Sequence, residues 1–280
     1  MSDYQQLTFA VAGDVQELLI AELAEIGFEG FEQHENLMIA WVPTTLFGTS
    51  ERGLISAWFA GRGVSDAIVN EKLIKPRNWN QEWEQNIEPI TIGRFFVRPT
   101  WRTEPLPDGK ILLNIDPKMA FGTGYHETTR LMLRALPDVV DSGADILDVG
   151  TGTGILAIAS LKLGAASAFG FDIDEWSEDN ARENAEKNDS TTNFEVKQGS
   201  FDTVVEEAEF DLVLANVNRN AILEMKNELV AHVKPGGTLL LSGVLGVEKD
   251  LILEEPTFKA LKLEDVSAEN EWVSIRYTKV

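Results

Sequence analysis

Two glycine-rich runs and a few polar residues carry what chemistry is legible in this chain. The first run, Asp148-Val149-Gly150-Thr151-Gly152-Thr153-Gly154, follows a short apolar stretch and opens a helical pattern. Glycines at such positions let a backbone turn tightly and approach a ligand closely. Ile155 follows Gly154, so the G-x-G-x-x-G spacing of a dinucleotide fingerprint fails by one residue. A P-loop is also excluded, because Ile155-Leu156 stands where Lys and Ser or Thr are required. Asp172 ends the next apolar stretch, where a carboxylate can accept both hydroxyl hydrogens of a ribose. Asp174 would face the opposite way if that strand continued, or else is a solvated loop acid. Asn216 ends a later stretch, where an ordinary strand-end turn residue would also stand.

The second run is Phe121-Gly122-Thr123-Gly124-Tyr125-His126-Glu127-Thr128-Thr129. His126 there is a candidate base, or a packing and hydrogen-bonding residue of a glycine-rich turn. His34, His126 and His232 are far apart and lack metal-ligand spacing, and the chain has no cysteine. No disulfide, thiol nucleophile or metal site is therefore expected.

These residues need strands and helices to hold them. From about residue 140 strand and helix patterns alternate. Ile146–Val149 is a strand, Ile155–Leu163 a helix, Ala168–Phe171 a strand, and a helix runs on through Asn188. Strands at Phe194–Val196 and Leu212–Ala215, a helix near Ile222–His232, the turn Pro235-Gly236-Gly237 and a strand at Thr238–Leu241 follow. This order predicts an α/β, Rossmann-like doubly wound sheet with ligands at the carboxyl ends of its strands. Ala260–Val266 and Trp272–Tyr277 read as a hairpin joined by the acidic turn Ser267–Glu271, which makes the last strand antiparallel.

The first 75 residues differ in texture. A strand at Gln6–Val11 precedes a helix that Asp14 can cap, with Val15, Leu18, Leu19, Leu23 and Ile26 on one face and Gly27 at its end. Strands at Phe28–Gln33 and Leu37–Val42, a helix near Ser50–Ala60 and a strand near Ala67–Ile74 complete β-α-β-β-α-β, the ferredoxin-like order. The expected division is a small α+β recognition domain at 1–75, a linker at 76–90 and the α/β domain at 91–280. Trp79 and Trp83 share one face of a linker helix. Gly93–Trp101 is strand-like, and Pro105–Gly109 is a surface turn.

Composition narrows the classes. The net charge is −22, so autonomous binding to DNA or RNA is not expected, whereas a basic protein partner would be attracted. The same charge also fits a merely solubilising surface. No apolar run is long enough to span a bilayer, and Met1-Ser2-Asp3-Tyr4 opens no secretory signal. A cytoplasmic address and no membrane partner are expected.

The run from Asp148 to Gly154 resembles motif I of class I methyltransferases, which holds the amino-acid end of S-adenosylmethionine. The Phe121–Thr129 run is similar to that of the ribosomal protein L-eleven methyltransferase (PrmA) family. The likeness extends over Trp79–Trp83, Pro99–Trp101, Asp116–Thr129, Ile146–Leu163, Gly170–Asp174 and Ala215-Asn216. It implies that Thr129, Gly150, Gly152, Asp172 and Asn216 bind S-adenosylmethionine. It also implies that Phe121, Gly122, Thr123 and Gly124 close over its methyl end, with Asn216 and His126 as the candidate catalytic residues. Amino methyltransferases with Asn-Pro-Pro-Tyr at the fourth strand orient the substrate amine there. This chain has Asn216-Val217-Asn218-Arg219, so only the Asn carries over. Gly199-Ser200 stands where an adenine contact is usual, although Asp is commoner than Ser at its second position.

The activity implied is direct methyl transfer to lysine side chains, the N-terminal α-amine, or both, of the large-subunit stalk-base ribosomal protein. A lysine, of pKa ~10.4, must lose its proton before attack, and burial in an apolar site favours the neutral form. Other readings are a class I enzyme acting on RNA or a small amine, and a non-catalytic assembly protein that keeps the fold.

Overall fold

The structure is a computed structural model, and it describes residues 3–63, 68–74, 87–118 and 120–280. The chain divides into two compact units, Met1–Trp79 and Asn80–Val280. The linker helix expected around Trp79 and Trp83 lies outside the described residues.

The first unit runs β1 (Tyr4–Ala10), α1 (Gly13–Glu25), β2 (Gly30–Gln33), β3 (Leu37–Pro43), α2 (Thr49–Ala60) and β4 (Ile68–Ile74). Its strands lie in the order β2-β3-β1-β4, with β1 antiparallel to both neighbours. Leu7 and Phe9 of β1 share one face with Met38, Ala40 and Val42 of β3, and Leu19, Leu23, Ile55 and Phe59 of the helices cover it. This is the ferredoxin-like arrangement that the element order predicts. Two details differ. Ala12, not Asp14, precedes α1 in extended backbone, and Asp14 sits in the first turn, where its charge still suits the helix dipole. Leu18 faces outward, and the buried place goes to Gln16, whose amide donates to the carbonyls of Val11, His34 and Leu37.

The second unit opens with a small sheet, β5 (Ile90–Ile92), β6 (Phe95–Arg98) and β7 (Ile111–Asn114). The strand-like Gly93–Trp101 stretch is therefore a turn followed by β6. A helix not read from the sequence, α3 (Glu127–Ala135), follows the second glycine-rich run. Then come β8 (Asp145–Val149), α4 (Ile155–Leu163), β9 (Ser167–Asp172), α5 (Glu175–Lys187), β10 (Phe194–Gln198) and β11 (Phe210–Asn216). The expected Ile222–His232 helix is two short ones, α6 (Arg219–Glu224) and α7 (Lys226–Ala231), parted at Met225. The chain ends with β12 (Val233–Leu245), α8 (Lys249–Leu253), α9 (Pro256–Lys259), β13 (Lys262–Glu269) and β14 (Trp272–Thr278).

The large sheet has seven strands in the order β10-β9-β8-β11-β12-β14-β13. β8 to β12 are parallel, and β14 is antiparallel to both its neighbours. Side chains alternate between faces. Ile146, Leu212, Leu214 and Leu240 join the core with α3, α4 and α5, while Leu147, Val149, Val213, Ala215, Leu239 and Leu241 join the one with α6 to α9. Pairing in β12 already begins at Val233, so Pro235-Gly236-Gly237 is an irregularity inside the strand. The final hairpin is tighter than expected, because pairing continues to Glu269 opposite Trp272 and leaves only Asn270-Glu271 as the turn.

Candidate functional site

The strand order reverses between β8 and β11, and the glycine loop lies at that switch point, where such sheets bind ligands. Gly150 and Thr151 donate their N–H groups to the Phe171 carbonyl at 2.9 and 3.0 Å. This hooks the loop over the end of β9. Gly152 N–H donates to Asp172 Oδ2 at 2.9 Å, and Asp174 N–H to Asp172 Oδ1 at 3.1 Å. Asp172 and the glycine loop therefore form one unit, with the carboxylate at the rim. Asp174 is the N-cap of α5 and accepts from Trp176 N–H, so the strand does not continue to it. Gly150 and Gly152 both have positive φ, and a Cβ at Gly152 would stand 2.3 Å from the Phe121 carbonyl oxygen. Only glycine fits that approach.

Asp148 is buried below the loop. Its Oδ2 accepts from Thr151 Oγ1 at 2.7 Å and from Ala157 N–H at 3.3 Å, while Oδ1 has no partner. Burial is the dominant effect on this carboxyl and pushes its pKa up to about 6. The two hydrogen bonds oppose that rise, and the nearby Asp172 charge adds to it.

The second glycine-rich run crosses the mouth of the sheet. Phe121 is exposed, and its ring meets His126 edge-on at 5.4 Å. His126 caps α3, with Nδ1 3.3 Å from Thr128 N–H and 2.9 Å from the Thr128 hydroxyl. Its ring also packs against Trp272 at 4.9 Å. These contacts make His126 a capping and packing residue; its ring lines a cavity as well.

A cavity of about 560 Å³ is lined by Phe121, Gly150, Asp172, Ile173, Phe201 and Asn216, among others. That size suits a ligand the size of a nucleoside conjugate. A second cavity of about 240 Å³ adjoins it and is lined by Phe121, His126, Thr128, Asn216, Gly243 and Trp272, with Val217 and Asn218 shared by both. Asn216 stands at the junction. Its Nδ2 points to Thr129 Oγ1 at 3.4 Å, and its Oδ1 is buried with no hydrogen-bond partner. Thr129 is itself fully buried behind Asn216. Thr123, Gly124 and Gly152 line neither cavity. The structure thus brings Phe121, His126, Gly150, Asp172 and Asn216 to one place and puts Thr129 and Gly152 directly behind them. Ser200 also lines the larger cavity, with its N–H and hydroxyl both donating to Asp202.

Several lining residues carry no signal in the sequence. Trp272 arrives from the final hairpin, Ile173 and Val217 are ordinary apolar residues in strand-end loops, and Phe201 opens a single 3-10 turn. Among the described residues no group of three His, Asp or Glu could hold a metal, and no helix is long and apolar enough to cross a membrane.

A seven-stranded sheet of this order with its penultimate strand antiparallel, and a glycine loop and acidic residue ending its first two strands, define a class I methyltransferase. The profile of the family described as ribosomal protein L11 methyltransferase (PrmA) matches residues 54–280, and the chain belongs to that family. A ribosomal protein L11 methyltransferase of Porphyromonas gingivalis is 40% identical over 276 residues, which cover 98% of this chain and 93% of that relative. One from Chlorobaculum tepidum is 34% identical over 282 residues, covering 96% and 94% of the two chains. Among solved structures, a ribosomal protein L11 methylase from Lactobacillus delbrueckii subsp. bulgaricus is 26% identical with a TM-score of 0.63. It matches 69% of this chain and 100% of that chain. The chain is thus a methyltransferase.

Proposed function

We propose that the chain transfers methyl groups from S-adenosylmethionine to amino groups of ribosomal protein L11, at lysine side chains, the N-terminal α-amine, or both. The observation that carries this reading is the placement of Asn216, which lines both cavities and whose Oδ1 has no hydrogen-bond partner. A buried acceptor without a donor is costly unless a ligand supplies one, and an amine N–H does so.

The larger cavity fits the cofactor. Asp172 at its rim offers acceptors for ribose hydroxyls, and the glycine loop offers close backbone approach at Gly150. When bound there, S-adenosylmethionine supplies an electrophilic methyl group on a sulfonium. The smaller cavity, walled by Phe121, His126 and Trp272, is apolar and suits an alkyl amine stem. Its apolar walls favour the neutral, nucleophilic form of that amine. Asn216 Oδ1 accepts one amine hydrogen and so aims the lone pair, which makes Asn216 an orienting group and not a base. His126, with Nδ1 engaged by Thr128, acts through packing. Thr129 holds the Asn216 amide in place from behind.

The acidic chain, of net charge −22, favours encounter with a basic ribosomal protein, and residues 1–75 serve to recognise it. A cytoplasmic location fits such a substrate. The test is mass spectrometry of purified ribosomal protein L11 after incubation with the full chain and methyl-labelled cofactor. Increments of one or more methyl groups on amines are expected. An unmodified protein in the presence of demonstrated cofactor binding would overturn the substrate reading.

A further inference from the structure

The strap from Asp116 to His126 is joined to the glycine loop through one residue. Thr153 is completely buried. Its N–H donates to the Phe121 carbonyl at 2.8 Å, and its hydroxyl donates to the Gly122 carbonyl at 2.6 Å. Among the described residues, these two are the hydrogen bonds that tie strap and glycine loop together. The contact is close enough that a Cβ at Gly122 would meet Thr153 Oγ1 at 2.8 Å.

Thr153 is in turn held from behind by α5. Asn184, also fully buried, donates from Nδ2 to the Thr153 carbonyl at 3.0 Å. The same side chain grips the start of the strap, because its Oδ1 accepts from Asp116 N–H at 2.9 Å and its Nδ2 donates to the Asp116 carbonyl at 3.2 Å. Asn180, one turn earlier, donates to that carbonyl at 2.9 Å. Asn188, one turn later, accepts from Asn114 N–H at 3.0 Å and donates to the Asn114 carbonyl at 2.7 Å. Three asparagines at four-residue spacing, the last of them the C-cap, thus line one side of α5 and pair with the main chain at the end of β7 and just beyond it, as an adjacent strand would. The Asp116 carboxylate is fixed separately by Thr100 and Lys187.

None of Thr153, Asn180, Asn184 or Asn188 lines either cavity. Of these, Thr153 bonds the strap at Phe121, which lines both. Gly122 and Gly124 have positive φ and give the strap a backbone freedom that other residues lack. The carbonyls on either side of that freedom, at Phe121 and Gly122, are the two that Thr153 pins.

We propose that Thr153, backed by Asn184, is a positioning residue for methyl transfer: it sets the Phe121 ring at the junction where amine and methyl group must align. The proposal rests on the reading of that junction as the methyl-transfer site. Thr153→Val has nearly the same shape but leaves the buried Gly122 carbonyl without its donor, so the strap must shift to satisfy it. Displacement in line is sensitive to such shifts, whereas Asp172 and the hook of Gly150 onto β9 stay in place.

The experiment uses the full chain, ribosomal protein L11 and S-adenosylmethionine, with kcat and KM from methyl transfer and the cofactor Kd from calorimetry. Thr153→Val should lower kcat by roughly tenfold to a hundredfold, while the Kd changes far less. Thr153→Ser, which restores the hydroxyl, should restore kcat. If the melting curve of Thr153→Val shows it unfolded, Asn184→Asp tests the same link. It keeps the acceptor for Asp116 N–H, loses the donor that the Thr153 and Asp116 carbonyls share, and should give the same kcat-selective loss. Unchanged kcat, equal losses in kcat and cofactor affinity, or no rescue by serine would overturn the proposal. Phe121→Ala, measured alongside, separates the two levels of the argument. Full kcat in Phe121→Ala overturns the site reading and the proposal with it. A loss there with full kcat in Thr153→Val overturns the positioning role alone.

Discussion

The carboxyl of Asp148 makes a pH-dependent contribution to stability that a single substitution should remove. It is enclosed beneath the glycine loop, with Oδ2 bonded to Thr151 and Ala157 and Oδ1 bonded to nothing. Burial outweighs those bonds and pushes the group from 3.8 to about 6. A folded-state value above the unfolded one means that the folded chain binds this proton more tightly. The stabilisation is therefore fully present below the unfolded value and is lost as pH rises through the folded one. Two pKa units at about 1.4 kcal/mol each make this about 3 kcal/mol, lost between about pH 4 and pH 6. Asp148→Asn is neutral throughout and keeps an oxygen for Thr151 and Ala157. Urea unfolding of both chains, followed by circular dichroism from pH 4 to above pH 7, measures the difference. The variant should gain about 3 kcal/mol on the parent across that window, whatever the offset between them at its acid end. Stability profiles that run parallel would refute the argument, because they would mean that hydrogen bonds or solvent fully offset the burial of this carboxyl.

Three further outcomes are expected. Asp172→Ala should weaken S-adenosylmethionine binding by ~1.5–3 kcal/mol or more, the range for hydrogen bonds to a charged group, and calorimetry with unchanged affinity would place the ribose elsewhere. Asn216→Ala should reduce kcat/KM for methyl transfer more than it weakens cofactor binding, whereas equal losses would make Asn216 a cofactor residue only. A chain starting near Pro76, once shown to be folded, should still bind the cofactor but lose methylation of intact ribosomal protein L11. Full activity without residues 1–75 would exclude a recognition role for them.

The elements of the large sheet could be read from the chain because each is a short apolar stretch with alternating neighbours and glycine punctuation. Ile146–Val149, Ala168–Phe171 and Leu212–Ala215 all stand in strands where that pattern puts them. Local patterning says less where it must choose between a turn and an irregular strand. Pro235-Gly236-Gly237 is the case in point, since only the pairing of Val233 with Phe210 keeps it within β12. It also says little about short helices such as α6 and α7, whose break at Met225 has no marker in the sequence. Asp14 shows another limit, because any of several residues near a helix start can take the cap, and the chain entering from β1 settled on Ala12.

For the site, residue type and spacing were enough to single out the glycine loop and Asp172, which end legible strands, whereas the Phe121–Thr129 run and the role of Asn216 stood out through their family resemblance. Their roles depend on neighbours remote in the chain. Trp272 reaches His126 only because β14 lies beside β12, and Asn184 reaches Thr153 only because α5 packs across the strap. The unpartnered Asn216 oxygen and the raised carboxyl of Asp148 are likewise properties of enclosure. Periodicity and spacing report the local backbone, but desolvation and hydrogen-bond satisfaction are set by whatever the fold brings to within a few ångströms.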